Sequence, residues 1–153
     1  MDLPIDFKEL LEEFARSKVE VVLVGGYAVA FHGRPRATKD LDLLLEGSME
    51  NLSRAADALR RFGAPPAVAH AVGSMNETEV VFLGQPPLRI DLLRSIDGVS
   101  TADVLARAVA AVISGVGVQI ISLDDLIANK RAAGRPQDLA DAQLLELSRA
   151  SRP

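Results

Sequence analysis

VEVVLVGGYAVAFHGRPRATKDLDLLL, residues 19–45, decides how the rest of the chain is read. Its first six residues are rich in β-branched valine and end at Gly25-Gly26, the pattern of a strand running into a turn that needs glycine's freedom at positive φ. The segment YAVAFH reads as a short helix, a loop with Arg34, Arg36 and Thr38 follows, and the next strand is DLDLLL. Side chains on a strand alternate between its faces, so Asp40 and Asp42 point the same way, with Cα atoms about 7 Å apart. Leu41, Leu43, Leu44 and Leu45 mark the strand as largely buried, where unpaired acids are costly. Each half has an ordinary explanation by itself, a glycine turn or a solvated edge. Together they point to a bound cation between two carboxylates.

A third acid occupies a similar place. PLRIDLL, residues 87–93, reads as a strand with Leu88, Ile90 and Leu92 on one face and Arg89, Asp91 and Leu93 on the other. If it lies beside the strand of Asp40 and Asp42, three carboxylates converge. Such a set suits Mg²⁺, a hard ion that takes a few carboxylates and water and leaves room for substrate phosphates. Two such ions about 4 Å apart activate an acceptor hydroxyl and stabilise the leaving oxygen in phosphoryl transfer.

The order of Gly25-Gly26, Asp40-Leu41-Asp42 and Ile90-Asp91-Leu92 resembles the DNA polymerase β-type nucleotidyltransferase superfamily. GGYAVAFHGRPRATKDLDLLL is similar to small stand-alone members, including those of toxin-antitoxin systems related to the AbiEii group, and SLDDLIANKRAAGRPQDLADAQLL resembles the helical segment that follows their catalytic sheet. The resemblance implies an α/β (α+β) fold: a nucleotidyltransferase-like mixed sheet flanked by helices, with a C-terminal helical pair. It implies that Asp40, Asp42 and Asp91 hold Mg²⁺ or Mn²⁺ and are catalytic, Asp91 also taking the acceptor's proton. Gly25 and Gly26 would bring backbone amides to the phosphates of an NTP substrate at a helix start. Arg36 and Thr38 are expected phosphate or base contacts, Lys130 would face the triphosphate, and Arg135 is a further candidate. Many members carry Gly-Ser where this chain has Gly25-Gly26, so one hydroxyl is missing.

The expected activity is transfer of a nucleoside monophosphate from an NTP to a hydroxyl. The acceptor is open: a partner protein in a toxin-antitoxin or phage-defence system, a tRNA or other RNA end, or a small molecule. Its recognition is expected from the C-terminal tail, a second subunit as in a homodimer, or another protein. The alternative is an inactive relative serving as a binding or partner protein, although all three acids remain.

Composition agrees with a folded enzyme. The chain has 153 residues, expected to form a single domain with a catalytic core over about 19–121 and C-terminal helices over about 122–149. Apolar residues make up 48% but aromatics only 4%, so Ala, Val, Leu and Ile must build the core. With no cysteine there are no disulfides, thiolate chemistry or zinc fingers, and the expected location is the cytoplasm. No run is apolar enough to span a membrane, and MDLPIDFKEL lacks a basic leader. A net charge of −4 argues against a broad duplex-binding surface.

Along the chain, the spacing predicts a helix from Asp6, capped by Asp6 and Glu9, with Phe7, Leu10, Leu11 and Phe14 inward. A second runs from Met49 to Phe62 between Ser48 and Gly63, with Arg60 and Arg61 on its solvated basic end. Residues 67–78 read as a loop or a weak strand at Val68–Val72. Val80–Leu83 pairs with Leu88–Leu93 in a hairpin, Thr101–Val109 reads as a short helix, and Ala110–Ile121 as two strands around Ser114-Gly115. Ser122 and Asp125 form a capping box for Leu123–Ala133, and a last helix over Gln137–Ser148 turns Leu139, Ala142 and Leu145 inward. His32 is expected to cap its helix before Gly33, and Tyr27 to pack, with self-modification a lesser alternative.

Overall fold

The computed structural model describes residues 2–33, 35 and 37–151. In chain order these form α1 (Ile5–Arg16), β1 (Val21–Val24), α2 (Gly25–His32), β2 (Asp40–Leu45), α3 (Met49–Phe62) and α4 (Pro66–Gly73). Then come β3 (Val80–Gln85), β4 (Leu88–Leu93), α5 (Thr101–Arg107), β5 (Val109–Ile113), β6 (Val116–Ile120), α6 (Leu123–Ala133) and α7 (Pro136–Ala150). The strands make one sheet in the order β3-β4-β2-β1-β6-β5. Strand β2 runs antiparallel to β1 and parallel to β4, β1 is parallel to β6, and the two hairpins close the edges. The mixed α/β sheet expected from the sequence is therefore the fold.

Strand β2 lies at the centre because its leucines can be buried from both sides. Leu41, Leu43, Leu44 and Leu45 are fully enclosed, among Val22, Leu23 and Val24 of β1 and Leu92 of β4. Helices α1, α3 and α4 pack as one group, while α2, α6 and α7 pack as another. Asn51, at the start of α3, is buried and links three backbone segments. Its amide donates to the Glu20 and Glu46 carbonyls at 2.9 and 2.8 Å, and its side-chain oxygen accepts from Glu20 N–H at 2.8 Å. The helix thereby pins the outer ends of β1 and β2, satisfying backbone groups that burial would otherwise strand.

Helix ends follow local chemistry. Ser48 accepts from the Asn51 amide, and Gly63 closes α3 at φ 97°, a left-handed value that favours glycine. Several expectations are corrected. Residues 66–73 form helix α4, not a loop or strand: Pro66 opens it, and Ala69 and Val72 provide a buried pair too short to register as a period. Helix α1 begins at Ile5 after Pro4, with no side-chain cap from Asp6. Helix α5 stops at Arg107 and Val109 already belongs to β5. Ser122 caps α6, but the Asp125 carboxylate takes two bonds from Arg107, at 3.0 and 2.8 Å, and does not complete a capping box. In α7 Leu139 is 50% exposed, and the inward face is Asp138, Asp141, Ala142 and Leu145.

Candidate active site

The sheet register brings the predicted acids onto neighbouring strands. Asp42 stands opposite Val24 of β1 on one side and Asp91 of β4 on the other, and Asp40 stands opposite Arg89. Parallel pairing of β2 with β4 thus converts two distant sequence motifs into one cluster. Gly25 follows directly at φ 70°, and a Cβ placed there would stand 2.0 Å from Asp42 Oδ2. Both the conformation and the close approach exclude a larger residue. Helix α2 starts at this glycine after an extended Val24, so its first backbone amides open beside the Asp42 carboxylate.

Asp42 is pushed up from 3.8 to about 7, chiefly by burial, then by the charge of Asp91 and a side-chain hydrogen bond with it, and by the charge of Asp40. Lys130 pulls the other way. Burial and the neighbouring acids thus keep the Asp42 carboxyl protonated well above the ordinary carboxylate range.

Arg89 pairs directly with one of these acids and reaches a second. Its Nε donates to Asp91 Oδ1 at 2.7 Å and its second terminal nitrogen to Oδ2 at 3.2 Å, while that nitrogen lies 3.7 Å from Asp40 Oδ2. The guanidinium also lies over the Phe82 ring, 4.4 Å from its centroid. Among the described residues, no group of three acidic, histidine or cysteine side chains converges into a ready-made metal cage. The carboxylate set is nevertheless of the right kind for a hard divalent ion: Arg89 pairs with Asp91 and reaches Asp40, while Asp42 is pushed up by burial first and by its acidic neighbours second.

Gly26, Ala37, Thr38, Lys39, Asp40, Asp42 and Gln137 line an open cleft of about 540 Å³. Thr38 and Gly26 therefore sit with the acids, and the Thr38 carbonyl accepts from Tyr27 Oη at 3.3 Å. Arg34 and Arg36 lie outside the described residues. Lys130 is not an exposed helix lysine: it is buried, with Nζ 3.4 Å from Asp138 Oδ1 and 3.5 Å from Asp141 Oδ2. Arg135 donates to Asp138 from its backbone at 3.2 Å and from Nε at 2.7 Å, and Gln137 donates to Asp141 at 2.9 Å. These contacts hold Asp138 below the ordinary carboxylate range, the Arg135 hydrogen bond contributing most.

Sequence reasoning missed Asp138, Asp141 and the contacts of Arg89. The signal for the first two was their three-residue spacing, which puts both on one face of a helix next to a lysine-bearing helix. His32 does not cap its helix; it is buried and its Nε2 lies 2.7 Å from the Ile121 carbonyl, tying α2 to the end of β6. Tyr27 packs edge-on against Phe7 at 6.0 Å. Arg54, Arg60 and Arg61 make ion pairs with Glu50, Asp57 and Glu13, the expected solvated face of α3.

No helix among the described residues is long and apolar enough to cross a membrane. A search of curated proteins returned no match. Among solved structures, the fold is similar to ANT(2")-Ia in complex with adenylyl-2"-tobramycin, with a TM-score of 0.61 and 18% identity over 95% of this chain and 93% of that one. It is similar to the lincomycin-bound lincosamide antibiotic adenylyltransferase LnuA, with a TM-score of 0.62 and 13% identity over 95% and 97%. A putative nucleotidyltransferase from Thermotoga maritima, TM1012, aligns with a TM-score of 0.60 and 14% identity over 95% and 91%. A family model described as nucleotidyl transferase of unknown function, DUF2204, matches residues 5–150, and the chain belongs to that family of enzymes.

Proposed function

We propose that the chain transfers a nucleoside monophosphate from an NTP to an acceptor hydroxyl in a divalent-metal-dependent reaction, with Asp40, Asp42 and Asp91 as its acidic centre. The observation that supports this most directly is the register that sets Asp91 beside Asp42, next to the Gly25-Gly26 turn and at the edge of the cleft. Bound to these three carboxylates, Mg²⁺ or Mn²⁺ supplies Lewis-acid stabilisation of the reacting phosphate and the leaving pyrophosphate. The backbone amides at the start of α2 and the Thr38 region of the cleft orient the triphosphate, and Lys130 adds positive potential from α6. An acceptor oxygen approaching in line forms the new bond to the α-phosphorus as the bond to the β-phosphate oxygen breaks. Its proton passes to an Asp91 carboxylate oxygen.

For the acceptor, the two antibiotic-modifying structural neighbours lend support to a small-molecule hydroxyl, and the similarity to toxin-antitoxin members lends support to a partner protein or an RNA end. A defence setting in the cytoplasm, with the chain acting as one catalytic unit, fits the second. The deciding experiment is thermal unfolding of wild type and Asp42→Asn with each NTP, with and without Mg²⁺. Ligand at a hundred times its dissociation constant adds about 2.7 kcal/mol. A Mg²⁺-dependent rise in the wild type that the variant lacks supports the reading and directs a search for acceptors with labelled NTP. Folded protein that shows no shift with any nucleotide and transfers no label favours the inactive binding protein.

A further inference from the structure

Arg89 and Asp91 sit two residues apart on one face of β4, and the register with β2 puts Asp40 opposite Arg89. On the other side of β4, the half-exposed Phe82 of β3 stands opposite Asp91, with the Arg89 guanidinium over its ring. Both Asp91 oxygens are engaged by Arg89, at 2.7 and 3.2 Å, and the same guanidinium reaches toward Asp40. The fork takes one lone pair of each Asp91 oxygen and sets a positive charge beside the carboxylate, so a divalent ion approaching Asp91 meets both a partly used acceptor and a like charge.

We propose that Arg89 is an internal counter-ion that competes with the divalent cation for Asp91 and Asp40, held on the Phe82 ring while it does so. The inference rests on the metal-binding reading of the three acids. Strand β4 supplies both partners of the contest: Asp91 is the ligand, and Arg89 is the cation that must leave it. Stacking on Phe82 orients the partly exposed guanidinium so that it forks onto Asp91. The metal affinity of the protein without substrate is set by this exchange, and a bound triphosphate shifts it by offering the guanidinium another anion.

The test is Mn²⁺ binding in the absence of nucleotide, read from the electron paramagnetic resonance of the free ion, on wild type, Arg89→Met, Arg89→Lys and Asp42→Asn. Removing a positive charge a few ångströms from the ion is expected to tighten Mn²⁺ binding by at least about tenfold in Arg89→Met. Arg89→Lys, which keeps the charge but loses the fork, should fall between it and wild type. Thermal unfolding provides a second readout: metal-free Arg89→Met melts below wild type, and Mn²⁺ raises its midpoint by more. Should Arg89→Met fail to fold, Arg89→Lys must still bind more tightly than wild type. Wild type that binds Mn²⁺, with folded arginine variants that bind no more tightly, overturns the counter-ion proposal alone. Folded wild type and variants that all fail to bind Mn²⁺ overturn the metal reading and this proposal with it.

Discussion

Two groups of partly or wholly buried carboxylates lie near each other, and they are neutralised in different ways. On the helical pair, Asp138 and Asp141 are each 2% exposed and are matched by Lys130, Arg135 and Gln137. Asp138 is held below its ordinary range. On the sheet, Asp42 is pushed up to about 7 by burial and by its acidic neighbours. The first group is satisfied by the chain itself. The second is left with excess negative charge, which is why the second is the candidate for an external cation. Burial alone does not separate a structural acid from a functional one; the partners do.

The sharpest way to break this contrast is to neutralise one acid from each group. Asp42→Asn should lower nucleotide transfer on the order of 10³-fold, the loss expected when several kcal/mol of metal-borne transition-state stabilisation disappear. Its metal-free thermal midpoint should rise. Asp138→Asn should do the reverse for stability, losing about 3 kcal/mol in urea unfolding, because Lys130 and Arg135 lose their shared buried partner. If both variants shifted stability in the same direction, the distinction between the groups would be wrong.

Gly25→Ala is a smaller perturbation that acts on the sheet group alone. The left-handed backbone and the collision with Asp42 together should cost roughly 2 kcal/mol. Metal binding should weaken as the carboxylate is displaced, and Mn²⁺ titration beside urea unfolding checks both.

The pH dependence separates the two groups without any substitution. Because the folded pKa of Asp42 is raised, its contribution to metal-free stability is fully present below the unfolded value of 3.8 and is lost as pH rises through about 7. Asp138 works in the opposite sense: its pKa is lowered, so its contribution is present above 3.8 and is lost as pH falls through the folded value. Thermal midpoints between pH 5 and 8 should therefore fall in wild type and flatten in Asp42→Asn. Saturating Mg²⁺ should also remove the fall, since the ion competes with the proton.

Most of the sheet was legible in the sequence. Strand alternation in DLDLLL and RIDLL fixed which residues share a face, and two short glycine-marked turns fixed the hairpins. That the two strands lie side by side entered the sequence reading only as a condition, and their parallel register comes from the structure, because nothing in a strand's own sequence names its partner. Helix α4 was missed because eight residues give one buried pair and no repeat. Leu139 was assigned inward because an apolar residue outranks an acid when only periodicity is read, yet Asp138 and Asp141 occupy that face because Lys130 waits opposite them. Arg89 looked like the polar alternate of a strand. Its importance comes from Asp91, Asp40 and Phe82 meeting around it, which only the register reveals.

The parallel pairing of β2 with β4 also has a kinetic side. The strands it joins are separated in sequence by α3, α4 and β3, so the contact that assembles the acids is among the non-local ones that close slowly. During synthesis the acids of β2 emerge well before Asp91, and a partly made chain has neither its third carboxylate nor Arg89 to offset the first two. In refolding, capacity to bind a metal should lag behind helix formation, making ion uptake a late reporter of the completed sheet.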